Sequence, residues 1–451
     1  MWAYHTPYVI HPDGVISRPE KRKISGIWEV VSLRVLWLCN IIPVQISREL
    51  NISHTSAGGW ITSLFHEICH VKEIELAVVA PIAGKQNQVI EHKISNVVIY
   101  GFLSGYPVTR YDKNLEKRFA DILSKFRPDF VHIFGTEFPH TLAMVRAFGN
   151  PKRTIIQIQG LVSVCAQHYT LGLPEKECRK KSFRDLLRND SINQAKKRFE
   201  VRGRYEIAAI KGVSNIIGRT DWDKACALQI HPKARYFYCP EILREEFYEG
   251  ACWKYDRCES HSLFMSQAYY PIKGIHFVLK AMSILKHRYP KMRLNIAGTD
   301  ILSLGIRKDY YTKMILKLIQ TYDLRGQIRF LGILDADGMK EQYLKANVFV
   351  SASTIENESN SLSEAKMLGV PCIASFVGGV TGRIMHGKDG FLYPADEPYM
   401  LAHYIGKIFE SKSLAENLSV NAKCAAMEMN NRRQNVDRLL DIYNQVAGLK
   451  E

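Results

Sequence analysis

Two glutamates eight positions apart, Glu356 and Glu364, carry the strongest chemical signal in this chain. They stand in Ser351-Ala-Ser-Thr-Ile-Glu356-Asn-Glu-Ser-Asn-Ser-Leu-Ser-Glu364-Ala-Lys-Met-Leu-Gly369-Val-Pro371. The spacing predicts a buried strand ending at Ala352, a polar loop, and a helix from about Ser361. Open backbone N–H groups and the positive end of that helix converge on one spot, which suits a diphosphate. Glu356, before the loop, and Glu364, placed in the first helical turn, flank that spot and can accept hydrogen bonds from sugar hydroxyls on either side. The plainer reading makes Glu364 a first-turn acid favoured by the helix dipole and Glu356 a surface loop acid.

Two other patterns could do chemistry. His66-Glu67-Ile-Cys-His70 fits H-E-x-x-H, which on a helix turns two imidazoles to one face for zinc, with the glutamate as general base. The helix is expected to stop at His70, and no third ligand follows at a recognisable spacing, so a zinc hydrolase is the less favoured alternative. Asp335-Ala-Asp337 has the form of a metal-nucleotide D-x-D, but it opens a helix, where Asp335 reads as an N-cap and Asp337 as a first-turn acid.

These residues need a frame. Short β-branched runs at 33–39, 74–80, 97–102, 129–134, 154–159 and 215–218 alternate with helical segments such as 113–126, where Leu115, Phe119, Ile122, Leu123 and Phe126 recur at helical spacing. The pattern restarts with strands at 263–267, 293–297, 327–331, 348–352 and 372–376, separated by helices such as 274–287 and 310–322. Continuous apolar strands between helices imply α/β architecture: two doubly wound Rossmann-like domains with parallel sheets covered on both faces, facing a central cleft. Ligands bind at the carboxyl ends of such strands, so the cleft is the expected active site. The expected divisions are an N-terminal arm at 1–30, a first domain at 31–240, a second at 241–430, and a C-terminal helix within 431–451 that could return to either domain.

Composition narrows the function classes. The chain has 451 residues, 46% of them hydrophobic and 24% charged, enough for two or three domains with their own cores. The ten cysteines form no C-x-x-C pair and no regular framework, which points to free thiols. No run approaches the roughly 18 apolar residues of a membrane span, and Glu20-Lys21-Arg22-Lys23 falls where a signal peptide would be apolar, so a cytoplasmic chain is expected. A net charge of +16 favours an anionic partner: a phosphorylated small molecule or an anionic membrane face. Nucleic acid is not expected, because no zinc-finger spacing, RNP-like strand or isolated basic helix occurs. Residues 171–205 are strongly basic and read as a loop followed by a helix, either a solvated face or a contact for anionic lipid or a phosphorylated acceptor.

The glutamate segment, with Gly369-Val-Pro371-Cys-Ile-Ala-Ser375, Gly378-Gly379 and His386-Gly-Lys-Asp-Gly390-Phe-Leu, resembles the C-terminal signature of the retaining glycosyltransferases of family 4, which have the GT-B fold. The resemblance implies that Glu364 holds the nucleotide ribose, Glu356 the donor sugar, and the amides around Asn360, Ser361 and Leu362 the diphosphate. The pair Gly58-Gly59, between the first strand and a helix, is similar to the family's glycine pair at the donor phosphate. Ser266-Gln267…Lys273-Gly274 is similar to its phosphate element, with Lys273 carried over and Gln267 standing where an arginine is usual. Gln159 stands where many members have a histidine facing the reacting sugar. It can hydrogen-bond a sugar hydroxyl but does not exchange protons as imidazole does. Gly135-Thr136-Glu137 and Gly218-Arg219-Thr220 look like acceptor-side and hinge-side motifs, which places Glu137 and Arg219 in the cleft. His132, in mid-strand, reads as a core histidine.

The resemblance thus implies a metal-independent, cofactor-free hexosyltransferase-like enzyme. It would move a sugar with retention from a nucleoside diphosphate donor to a saccharide or lipid-linked saccharide acceptor in cell-surface polysaccharide or glycolipid assembly. Gln159 and Gln267 keep open a GT-B scaffold that binds nucleotide sugar without turning it over.

Overall fold

The computed structural model describes residues 32–448 apart from 53–57, 83–89, 95 and 104–107, together with four two-residue strands between residues 9 and 28. The arm expected at 1–30 otherwise lies outside the described residues.

The first apolar runs build an eight-stranded sheet from β1 (Leu33–Cys39), β2 (Ile74–Pro81), β3 (Ile90–Ile94), β4 (Val97–Phe102), β5 (Phe130–Phe134), β6 (Thr154–Gln157), β7 (Asn215–Gly218) and β8 (Arg235–Tyr238). Their order is β8-β7-β6-β5-β1-β2-β4-β3, parallel except that β3 runs antiparallel to β4. Strand β1 shows why the run is apolar throughout: Val35, Trp37 and Cys39 enter the core on one face of the sheet, Leu36 and Leu38 the core on the other. The second sheet comprises β9 (Ser262–Met265), β10 (Arg293–Ile296), β11 (Ile328–Phe330), β12 (Val348–Ser351), β13 (Cys372–Ser375) and β14 (Phe391–Tyr393). It is wholly parallel, in the order β11-β10-β9-β12-β13-β14.

The helices that bear on the site are α1 (Gly59–Ile68), α2 (Lys113–Phe126), α3 (Phe183–Arg188), α4 (Ile192–Lys211), α5 (Ile275–Leu285), α6 (Tyr310–Thr321), α7 (Asn360–Met367) and α8 (Arg432–Val446). Helix α2 has the bounds its periodicity predicts; Asp112 caps it by accepting from the Asn114 amide, and the five apolar residues named above are its buried face.

The chain crosses between the sheets twice, at 239–249 and again on the way into α8. The two crossings are tied together: Tyr248 Oη donates to Asn430 O at 2.7 Å, and Asn430 Nδ2 donates to Glu241 O at 3.1 Å. Helix α8 returns to the first sheet. Its Val436, Leu439, Ile442 and Tyr443, at helical spacing, are buried in the same core as Trp37 and Phe130.

The basic stretch differs from the expected loop and helix. Helix α3 precedes α4, each opened by a capping box, Ser182 with Asp185 and Ser191 with Gln194. This segment belongs to the first domain by sequence yet packs on the second: its Cys178 and Ile192, with Tyr169 just before it, join the second core, and His276 Nε2 on α5 donates to Leu171 O at 3.1 Å.

Candidate active site between the two sheets

Loops leaving the carboxyl ends of both sheets enclose two adjoining cavities, with Trp60 of α1 bordering both. The larger, about 630 Å³, is lined by Gly58 and Gly59, by Arg244 of the crossing segment, by Gln267 after β9, and by Asn360, Ser361 and Glu364 of α7. The smaller, about 440 Å³, is lined by Glu137, Gln159, Arg202, Lys273 and Glu356, with Phe138, Phe199 and Tyr270 as apolar wall. Ten of the twelve residues singled out from the sequence therefore line one cavity or the other. Leu362 and Arg219 line neither.

Helix α7 explains the placement of Leu362. Ser359 is the N-cap; its side chain accepts from Leu362 N at 3.3 Å, and its carbonyl accepts from Leu362 N at 3.0 Å and Ser363 N at 3.1 Å. The Leu362 amide is thus already used, leaving those of Asn360 and Ser361 open at the helix N-terminus. Because α7 starts at Asn360, Glu364 lies beyond the first turn, where the sequence reading had put it. It is no dipole-stabilised surface acid: its side chain is 7% exposed, accepts from Arg244 Nε at 2.9 Å and from Tyr343 Oη at 3.3 Å, and burial pushes its pKa up against those partners. Arg244 is the residue that sequence reasoning missed. A Cβ on Gly59 would come within 2.2 Å of Arg244 Cδ, so the glycine gives the arginine its path across the cavity wall.

In the smaller cavity Glu356 accepts from Lys273 Nζ at 2.8 Å and from Ser353 Oγ at 3.2 Å. Burial works against the Lys273 ammonium, but Glu356 and Tyr270 outweigh it and hold its pKa above the ordinary lysine value. Two backbone contacts set the Glu356 loop. Gly378, at φ 48°, has no room for a Cβ, which would lie 2.1 Å from Glu356 O, and the Gly379 amide donates to that same carbonyl at 3.0 Å.

Across the cavity, burial raises the Glu137 carboxyl to about 7. Its Oε2 accepts from Asn40 Nδ2 at 2.6 Å, while Asn40 Oδ1 accepts from His140 Nε2 at 2.6 Å. Gln159 lies two residues beyond the end of β6, and its loop is anchored from below by Glu206. That buried carboxylate accepts from Thr136 Oγ1, the Val162 and Ser163 amides and Ser163 Oγ at 2.5 to 3.0 Å.

Arg219 is a keystone rather than a cleft cation. At 2% exposure it pairs with Glu241 at 2.5 Å and Glu358 at 3.2 Å, donates to Gln159 O at 2.9 Å, and its own carbonyl accepts from Arg383, which also pairs with Glu358 at 2.9 Å. Two cations and two carboxylates thus neutralise one another at the domain junction, each compensating a charge that would be costly to bury alone.

The other motifs settle differently. Helix α1 ends at Ile68, short of His70, whose Nδ1 donates to His66 O at 2.6 Å, and Glu67 faces Arg432 at 3.5 Å. Among the described residues no three His, Cys, Asp or Glu side chains are grouped to hold a metal ion. Asp335 caps its helix by accepting from Gly338 N at 2.8 Å. His132 is fully buried, and burial lowers its pKa to about 3.

Residues 259–424 match the model of the glycosyl transferases group 1 family. This part of the chain is a group 1 glycosyl transferase domain. An uncharacterized glycosyltransferase of Methanocaldococcus jannaschii is 30% identical over 166 residues, which are 37% of this chain and 40% of that protein. The match therefore spans well under half the length of that relative. Sucrose-phosphate synthase from Thermosynechococcus elongatus superposes with a TM-score of 0.67 at 18% identity, covering 92% of this chain and all of that one. Anabaena HepE in complex with UDP-glucose superposes at 0.60 and 14% identity, covering 91% of this chain and 100% of that one. Both domains together thus form a GT-B fold, and the group 1 domain contributes Lys273, Glu356 and Glu364.

Proposed function

We propose that this chain is a retaining glycosyltransferase that moves a sugar from a nucleoside diphosphate sugar to an acceptor hydroxyl. The observation that carries the reading is that Glu364 lines the larger cavity and Glu356, paired to Lys273, the smaller, with Trp60 lining both. The larger cavity suits a nucleoside, with Glu364 on the ribose hydroxyls and the amides of Asn360 and Ser361 on the diphosphate. The donor sugar then extends past Trp60 onto Glu356. Negative charge grows on the diphosphate as the glycosidic bond to it breaks, and Arg244, Lys273 and the open amides offer positive charge where it grows. The leaving phosphate can take the acceptor proton, so Gln159 need only hold a hydroxyl, and Glu137 faces the acceptor side. UDP-glucose in the HepE complex supports a nucleotide sugar as donor.

On this reading the protein acts at the inner face of a membrane, on a saccharide or lipid-linked saccharide of cell-surface polysaccharide or glycolipid assembly; the net charge of +16 supports an anionic surface there. A second reading, a scaffold that binds donor without turnover, draws on Gln159, whose amide offers no proton exchange.

Thermal unfolding against UDP, GDP, ADP and their common sugar conjugates tests both. A ligand at a hundred times its dissociation constant adds about 2.7 kcal/mol. One nucleotide sugar should stabilise the wild type and not Glu364→Ala, and NMR of slow donor hydrolysis should show the retained anomer first. Stabilisation without hydrolysis or transfer would favour the scaffold, and no stabilisation by any of these ligands would overturn the site.

A further inference from the structure

Helix α3 is amphipathic the wrong way round for a helix packed on a protein. Its apolar residues, Phe183, Leu186 and Leu187, share one face at i, i+3 and i+4 spacing and are 74%, 64% and 72% exposed. Its polar side points inward. Asp185 is fully buried, closes the capping box by accepting from Ser182 N at 2.8 Å, and accepts from Tyr310 N of α6 at 2.9 Å. Arg184 pairs with Asp190 at 2.9 Å. The polar contacts therefore lock the helix with its greasy face outward, against the hydrophobic driving force that would ordinarily turn it in.

The loop leading into Tyr310, whose amide meets Asp185, carries Ile306, 97% exposed, and Leu302, 54% exposed, with Arg307 and Lys308 following. The rim is basic. Lys181 precedes α3 and Arg188 ends it; among the described residues neither has a carboxylate partner within ion-pair distance, whereas Arg179 and Lys180 just before Lys181 are paired with Glu175 and Glu177.

We propose that Phe183, Leu186, Leu187 and Ile306, rimmed by Lys181, Arg188, Arg307 and Lys308, form a surface that docks on an anionic lipid bilayer. Exposed Leu and Phe side chains enter the boundary between headgroups and acyl chains, while the surrounding cations meet lipid phosphates; neither contribution alone holds a protein firmly. Among the described residues no helix is long and apolar enough to cross a membrane, so the attachment lies in the plane of the surface. Because Asp185 of the basic stretch is hydrogen-bonded to α6 of the second domain, docking holds both walls of the cleft to the membrane. The proposal deepens the membrane part of the reading above. Its test needs no donor, so failure of docking and failure of transfer are separately visible.

The full chain is co-sedimented with vesicles of phosphatidylcholine alone and of phosphatidylcholine and phosphatidylglycerol in equal parts. Wild type should bind the anionic vesicles at least about tenfold more tightly than the neutral ones and be released by salt. Phe183→Ser/Leu186→Ser/Leu187→Ser and, separately, Lys181→Ser/Arg188→Ser should each weaken that binding about tenfold or more while keeping the wild-type unfolding temperature. Binding unchanged in both variants, or equal binding to neutral vesicles, would overturn the proposal. So would a concentration-dependent dimer that the apolar variant disperses while no vesicle binding is seen, since a second copy of the chain would then be the occupant.

Discussion

Arg244 places Nε at 2.9 Å and Nη2 at 2.8 Å from the same oxygen of Glu364, so the carboxylate assigned to the nucleotide ribose is engaged by a cation from the crossing segment. Arg244 lines the same cavity as Asn360, Ser361 and Gln267. Donor binding should therefore shift Arg244 from carboxylate towards diphosphate. Arg244→Ala removes that charge and leaves Glu364 buried without its main partner, and nucleoside diphosphate affinity should fall by tenfold or more. Arg244→Lys keeps the charge but loses the planar fork, and should fall between. Calorimetric titration with the best-binding nucleotide reads both; unchanged affinity in Arg244→Ala would remove the arginine from the donor site.

Gly378 allows a separation of the two cavities. Its φ of 48° and the 2.1 Å approach of a Cβ to Glu356 O mean that Gly378→Ala must push the Glu356 loop aside. The expected result is a stability loss of about 1–3 kcal/mol and a large fall in transfer, with nucleoside diphosphate affinity, which depends on the Glu364 cavity, nearly intact. Equal losses of both would mean that the two cavities act as one.

Much of this was legible in the residues themselves. Parallel strands buried on both faces cannot alternate with polar residues, and that is why runs such as 33–39 announced themselves; α2 and α8 did so through spacing. What was hidden depends on the partner across the cleft. Arg219 looks like any cleft arginine until Glu241 and Glu358 are seen to enclose it, and Arg244 carries no local pattern at all, since only Gly59, 185 positions away, gives it passage. Edge strands β3, β8 and β14 were missed because Ile90–Ile94 carries Glu, His and Lys between its end isoleucines, Arg235–Tyr238 is partly exposed and Phe391–Tyr393 is very short, so their apolar signal is weak. Helix α3 was hidden by its inverted pattern, although Ser182-x-x-Asp185 is a readable cap.

Glu137 should set a pH dependence. Burial raises its pKa from the ordinary 4.5 to about 7, so its stabilising contribution is full below pH 4.5 and is lost as the pH rises through 7. Between pH 5 and 8 the wild type should lose up to roughly 2–3 kcal/mol relative to Glu137→Gln, in which nothing ionises at that position. If the ionised carboxylate orients the acceptor, transfer should also rise along a limb centred near pH 7 that Glu137→Gln flattens. Denaturant melts and rates across this range check both limbs; a limb that persists in Glu137→Gln belongs to another group.

The last helix offers a test of how the second crossing is held. Tyr443 Oη accepts from Trp37 Nε1 at 2.9 Å and donates to His132 Nδ1 at 2.7 Å, all three residues being buried in the first core. The low pKa of His132 keeps its ring neutral and able to accept. Tyr443→Phe preserves the ring but strands the indole donor and the imidazole acceptor, at about 1–3 kcal/mol for each group left unpaired. Adding Trp37→Phe removes one stranded donor, so the double variant should be less destabilised than the sum of the two single ones. Because only the N-cap Asn431 separates α8 from Asn430, which is bonded to the outgoing crossing through Tyr248 and Glu241, loosening α8 should also loosen the hinge. Hydrogen exchange in Tyr443→Phe should then quicken at 239–249 as well as within α8; exchange confined to α8 would show that the helix anchors the chain end without setting the domain crossing.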